Sequence, residues 1–117
     1  MTAFETKNKL TVILPVAQHN GTSNAEFITA IERTVSEIAG GYTAYDSVGG
    51  WIDSKTGLLY TDKAITLYTY CDDLVAELLL TLIPSWASLL QQIELTAELT
   101  TVKVAFVEGT RAQDLAA

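Results

Sequence analysis

The residues able to do chemistry in this chain are few. His19 is the only histidine and stands beside Asn20-Gly21, a turn dipeptide. A general-base or triad role needs an orienting acid and a nucleophile at hand, and no spacing in the sequence supplies them. A solvated loop histidine is the plainer reading, although the loop after a strand is also where a pocket rim forms. Cys71 is the only cysteine and precedes an expected helix start, where the helix dipole favours a thiolate. A catalytic Cys71 would still need His19 as its base. Tyr42, Tyr45, Tyr60, Tyr68 and Tyr70, with Trp51 and Trp86, could line an apolar pocket with polar tips. Packing within a sheet explains the same aromatics, which favour strands. The candidate ligand-binding residues are therefore His19, Trp51, Tyr68 and Tyr70, and no catalytic residue is expected.

Metal and cofactor signals are weaker. Asp72-Asp73 with Glu77 could hold a hard cation, but helix capping explains the aspartates better. Asp53–Gly57 departs from a calcium loop at Lys55 and lacks a terminal glutamate at the needed spacing. One cysteine allows neither an internal disulfide nor a zinc cluster. The pairs Gly40-Gly41 and Gly49-Gly50 precede no phosphate-loop lysine, and no strand–GxGxxG–helix unit occurs. No metal and no cofactor are expected.

The charge balance narrows the partners. Fourteen acidic and seven basic residues give a net charge of −7. Such a surface repels phosphate backbones, so direct binding to nucleic acid or an anionic membrane is disfavoured. The N-terminal stretch Met1–Lys9 is polar and shows no secretory signal, and the lone cysteine suits a reducing compartment, so a cytoplasmic location is expected. Leu74–Leu90 carries only Glu77 as a charge, but it is short for a membrane span and contains Pro84. A buried core helix is expected there.

These residues must be positioned by a single domain covering 1–117, since the length and the 49% hydrophobic content suit one core. Leu10–Ala17 alternates as a strand. Ser23-Asn24-Ala25-Glu26 reads as a capping box opening a helix to Ala39, with Phe27, Ile28, Ile31, Val35 and Ile38 on one stripe. Gly40-Gly41 ends it. A second strand is expected from Tyr42 to about Ser47, a hairpin tip at Asp53–Gly57, and a third strand over Ala64–Cys71. In that third strand Ile65, Leu67, Thr69 and Cys71 face one way and Thr66, Tyr68 and Tyr70 the other. Asp72 or Asp73 caps a helix running to about Gln92 with a kink or break at Pro84. Thr100–Val107 is the last strand, and the tail Gly109–Ala117 is expected to be loose or to dock on a partner chain.

Strand, helix, strand, strand, helix, strand gives an α+β ferredoxin-like βαββαβ domain: a four-stranded antiparallel sheet with both helices on one face. One sheet face would stay open, and the second helix is apolar on more than one side. Both features predict a homo-oligomer, with a dimer as first choice.

Gly49-Gly50-Trp51-Ile52-Asp53, Gly57, and Lys63 leading into a strand resemble a family of small bacterial ferredoxin-like domains of unknown function. That family carries a Gly-x-Trp-x-Asp-x-x-x-Gly hairpin. The layout is also broadly similar to that of dimeric α/β barrel proteins, which include cofactor-independent monooxygenases and small ligand-binding proteins. The resemblance implies the fold and no particular reaction.

The expected function is a non-catalytic module that binds a small molecule or a protein partner as a homo-oligomer. Two alternatives stand beside it. One is a cofactor-independent enzyme with His19, Trp51, Tyr68 and Tyr70 lining a pocket between sheet and helices. The other is an acidic phage-type anti-defence inhibitor that docks on a basic surface.

Overall fold

The computed structural model describes residues 3–110. The elements are β1 (Glu5–Pro15), α1 (Ala25–Ala39), β2 (Thr43–Ile52), β3 (Leu59–Cys71), α2 (Asp73–Leu89) and β4 (Ala97–Val104). All strand pairs are antiparallel and lie in the order β2-β3-β1-β4. This is the ferredoxin-like βαββαβ arrangement expected from the sequence, with both helices on one face. Residues 111–117, most of the tail expected to be loose or docked, lie outside the described residues.

Strand alternation decides which side chains form the core. Leu10, Val12 and Leu14 of β1 point to the helices and are buried, opposite Thr69, Leu67 and Ile65 of β3. Ile28, Ile31 and Val35 of α1 and Ala76, Leu79, Ile83 and Trp86 of α2 close over them. Each large aliphatic side chain removed from water here contributes about 1.5–3 kcal/mol. The stripe read from α1 is thus the buried one.

Several boundaries differ from the sequence reading. The strand expected at Leu10–Ala17 begins five residues earlier, at Glu5, because pairing with β4 extends it. The last strand starts at Ala97 and ends at Val104 rather than spanning Thr100–Val107. β2 does not stop at Ser47 but runs to Ile52, and β3 starts at Leu59 rather than Ala64. Gly49 and Gly50 are therefore not turn residues: they pair with Asp62 and Thr61 inside the ladder. The turn lies at the expected tip, where Asp53 Oδ1 accepts from the Lys55 amide at 2.7 Å and Gly57 takes φ 73°.

The helix ends also correct two expectations. Ser23 does not form a capping box with Glu26: its Oγ accepts from the Ala25 amide at 3.1 Å, and Asn24 is the N-cap residue without a side-chain cap bond. The Asn24 side chain is engaged elsewhere in the core. Asp72 caps α2, accepting from the Val75 amide at 2.9 Å. α2 passes Pro84 without interruption and ends at Leu89, three residues short of Gln92. Gln91 then takes φ 56°, a left-handed conformation that turns the chain out of the helix.

One feature dominates the outline. β1 pairs with β3 only as far as Pro15 opposite Ala64, while β2 and β3 continue together to Ile52 and Leu59. Five further residue pairs and the turn project as a two-stranded arm, roughly 17 Å long before the turn. The Cα radius of gyration is 17.6 Å and the longest extent 62 Å. A compact chain of this length has a radius of gyration of about 13 Å.

Candidate functional site

The arm creates a notch. β3 outruns β1, so residues 60–63 have no strand neighbour on that side among the described residues, and the Val16 amide bonds to the Lys63 carbonyl just before the chain turns away. A hollow of about 670 Å³ occupies this notch. The arm supplies Trp51 and Tyr60 through Lys63, the β1 exit supplies Pro15 through His19, and the segment after α2 supplies Gln92. Trp51 and Tyr60 face each other across the two arm strands and stack, with centroids 4.9 Å apart and planes 21° from parallel. His19 sits on a tight loop closed by the Gln18 amide to the Thr22 carbonyl at 2.8 Å, with Gly21 at φ 87°.

The four residues expected to bind a ligand do not converge. His19 and Trp51 line the notch. Tyr68 and Tyr70 line a smaller hollow of about 330 Å³ with Gly40, Gly41, Tyr42 and Phe106. Along β3, Tyr68 is eight residues from Tyr60, roughly 26 Å away. Around the second hollow Lys9 Nζ lies 4.2 Å from the centroid of Tyr68, and Tyr70 meets Tyr68 and Phe106 edge to face. Thr66 lies on that same open face and is buried there, donating from Oγ1 to Ser47 Oγ at 2.8 Å.

A third hollow, an open groove of about 680 Å³, separates α1 from β2. Ile28, Ala44 and Ile65 give it an apolar floor, and Glu32 and Asp46 place two carboxylates in it. At its α1 side the Glu32 carboxylate pushes the Tyr42 phenol above its ordinary pKa, through a hydrogen bond first and burial second. No group of three or more metal-ligating side chains occurs among the described residues.

Cys71 is not the activated thiol that a helix N-terminus suggested. It is 5% exposed, and burial raises its pKa, followed by the charge of Asp72. Lys7 opposes this without reversing it. Cys71 also lies opposite Asn8, whereas His19 follows the far end of β1, roughly 23 Å away along the strand. The two cannot form a nucleophile–base pair.

No known family model matches the sequence, and no curated protein matches it. Solved structures match the fold. CutA from Synechococcus elongatus superposes with a TM-score of 0.62 at 8% identity, over 91% of this chain and 85% of that one. A phage SAM lyase in complex with S-methyl-5'-thioadenosine gives 0.61 at 9% identity, over 86% and 90%. A Bacillus cereus protein related to NIF3 gives 0.60 at 9% identity over 86% of this chain, which spans only 27% of that protein. The fold thus recurs in several otherwise dissimilar proteins. Among the described residues no helix is long and apolar enough to cross a membrane.

Proposed function

We propose that this protein is a homo-oligomeric binding module in which the β2–β3 arm of one copy packs on another. The observation that carries this reading is the uncovered apolar surface of the arm. Val48, Ile52 and Leu59 share the helix-side face of the ribbon and are 69%, 66% and 68% exposed. Trp51 and Tyr60 occupy the opposite face, also open. A free two-stranded ribbon is marginally stable in water, so an arm with apolar residues on both sides calls for a partner. The accessible surface is 8329 Å², against roughly 6,000 Å² for a compact monomer of this mass. Leu74, Leu78 and Leu89 on the outer side of α2 add further uncovered apolar area.

The residues of the hairpin motif read in the sequence all lie on the arm: Trp51 on one face, Asp53 and Gly57 at the tip. The acidic charge fits a cytoplasmic, soluble module. The notch at the arm's base is the small-molecule site of this reading, with His19 and Trp51 on its wall. The phage SAM lyase holds S-methyl-5'-thioadenosine on the same fold, which supports a small-molecule site here.

Light scattering of the purified chain at micromolar concentration tests the proposal. The expected result is a homo-oligomer that Ile52→Asp with Leu59→Asp converts to a monomer with unchanged helix content. A monomeric unaltered chain overturns it. The second reading, a cofactor-independent enzyme, is favoured by His19, Asp62 and Lys63 meeting in one hollow. Turnover abolished by His19→Ala in a folded protein would select it.

A further inference from the structure

We propose that the notch at the base of the arm binds an uncharged planar heterocycle carrying amino groups, a ligand of the nucleoside class. The inference rests on reading the chain as a binding module, though not on the number of copies.

The hollow's volume of about 670 Å³ lies within the range that holds small ligands, about 300–1,000 Å³. Its flat wall is the Trp51–Tyr60 stack. Trp51 and Tyr60 are 51% and 42% exposed, so the stack keeps open aromatic surface for a further planar partner. Stacking of a base on an exposed aromatic contributes about 1–3 kcal/mol.

The polar groups of the notch include the donors Lys63 and His19 and several free acceptors. Gln18 donates from Nε2 to Asn24 Oδ1, and Gln92 donates from Nε2 to the Leu90 carbonyl. Each amide therefore has its Oε1 left to accept. Asp62 adds a carboxylate, which suits amino groups and sugar hydroxyls. The edge of β3 adds a mixed pair. In an antiparallel ladder alternate residues bond to opposite neighbours. Lys63 bonds towards the β1 exit, so Thr61, two residues away, turns its N–H and C=O to the same side, where β1 has ended. One backbone donor beside one acceptor matches the hydrogen-bonding edge of an aminated heterocycle.

Charge selects the neutral form. The net charge of −7 repels polyphosphates.

Titration calorimetry of the full chain with adenosine, and with ribose as the non-planar control, tests the site. Saturable adenosine binding is expected, with no ribose binding. Trp51→Ala should weaken adenosine at least about tenfold by removing the stacking wall, and Asp62→Ala should weaken it as well, with circular dichroism confirming that both variants fold. Absence of adenosine binding, equal binding of ribose, or full affinity in Trp51→Ala each overturns the proposal. Light scattering on the same samples separates the two readings. An oligomer that ignores adenosine removes the site and leaves the oligomer. A monomer that binds adenosine removes the arm contact and leaves the site.

Discussion

Asn24 Nδ2 donates to the Leu90 carbonyl at 3.4 Å, joining the start of α1 to the end of α2. The same nitrogen reaches the Pro15 carbonyl at 3.0 Å, and Gln18 donates back to Asn24 Oδ1. One fully buried amide therefore ties β1, both helices and the His19 loop together. Pro15, one of its acceptors, and Gln92, two residues after the other, also line the notch.

Asn24→Ala is accordingly expected to destabilise the fold by about 1–3 kcal/mol, because the Pro15 carbonyl loses its side-chain donor and the Leu90 carbonyl keeps only Gln92 Nε2. Equilibrium urea unfolding measures it. Asn24→Ser, a good N-cap type for α1, should not rescue the loss, since the cap position is not what the side chain serves. Recovery of full stability in Asn24→Ser would show that helix capping, and not the bridge to Leu90, is what matters.

Most of the fold was legible because its core obeys simple periods. Alternation in Leu10–Leu14 and the stripe Ile28–Ile31–Val35 could each be read alone, and both proved buried. The arm was not legible in length. Gly49-Gly50 looks like punctuation, yet both residues sit in a ladder whose apolar residues lie on both faces, as in Val48, Trp51 and Ile52. A ribbon awaiting an external partner lacks the alternation that a half-buried strand shows. The candidate site was half legible. His19 and Trp51, far apart in sequence, line one hollow, but Tyr68 and Tyr70 belong to another because β3 is long. Gln18, Gln92 and the Thr61 backbone carried no motif, and only the early end of β1 assembles them.

Tyr42 offers a test of the α1 rim. The neighbouring Glu32 carboxylate raises its pKa by favouring the protonated phenol. Absorbance titration should show one tyrosine in the unaltered protein ionising later than it does in Glu32→Gln, which removes the charge and keeps the shape. Identical tyrosine titration curves for the two proteins would contradict this placement of Glu32.

Arm packing gives a salt-independent expectation. The contact proposed for Val48, Ile52 and Leu59 is apolar, so the oligomer should persist when salt is raised from low to molar concentrations. An acidic docking surface would behave in the opposite way, losing a basic partner as salt screens the charge. Light scattering across a salt series distinguishes the two, and dissociation of the oligomer by salt alone would shift the weight from the arm to charged contacts.

Cys71 makes stability depend on alkaline pH. Its pKa is raised in the folded state by burial and by Asp72, so the folded chain holds the thiol proton to higher pH than the unfolded chain does. The resulting stabilisation is complete below the unfolded thiol value of about 8.5 and declines as pH rises through the folded value. Unfolding of the unaltered chain should therefore become easier between neutral and strongly alkaline pH by more than in Cys71→Ala, which has no proton to lose. Cys71→Ala itself should be less stable at neutral pH, since it trims a residue packed in the core. The two stability curves should converge on the alkaline side. Curves that stay parallel would mean that Cys71 ionises with equal ease in both states, and rapid thiol labelling of the folded protein at neutral pH would say the same from the kinetic side.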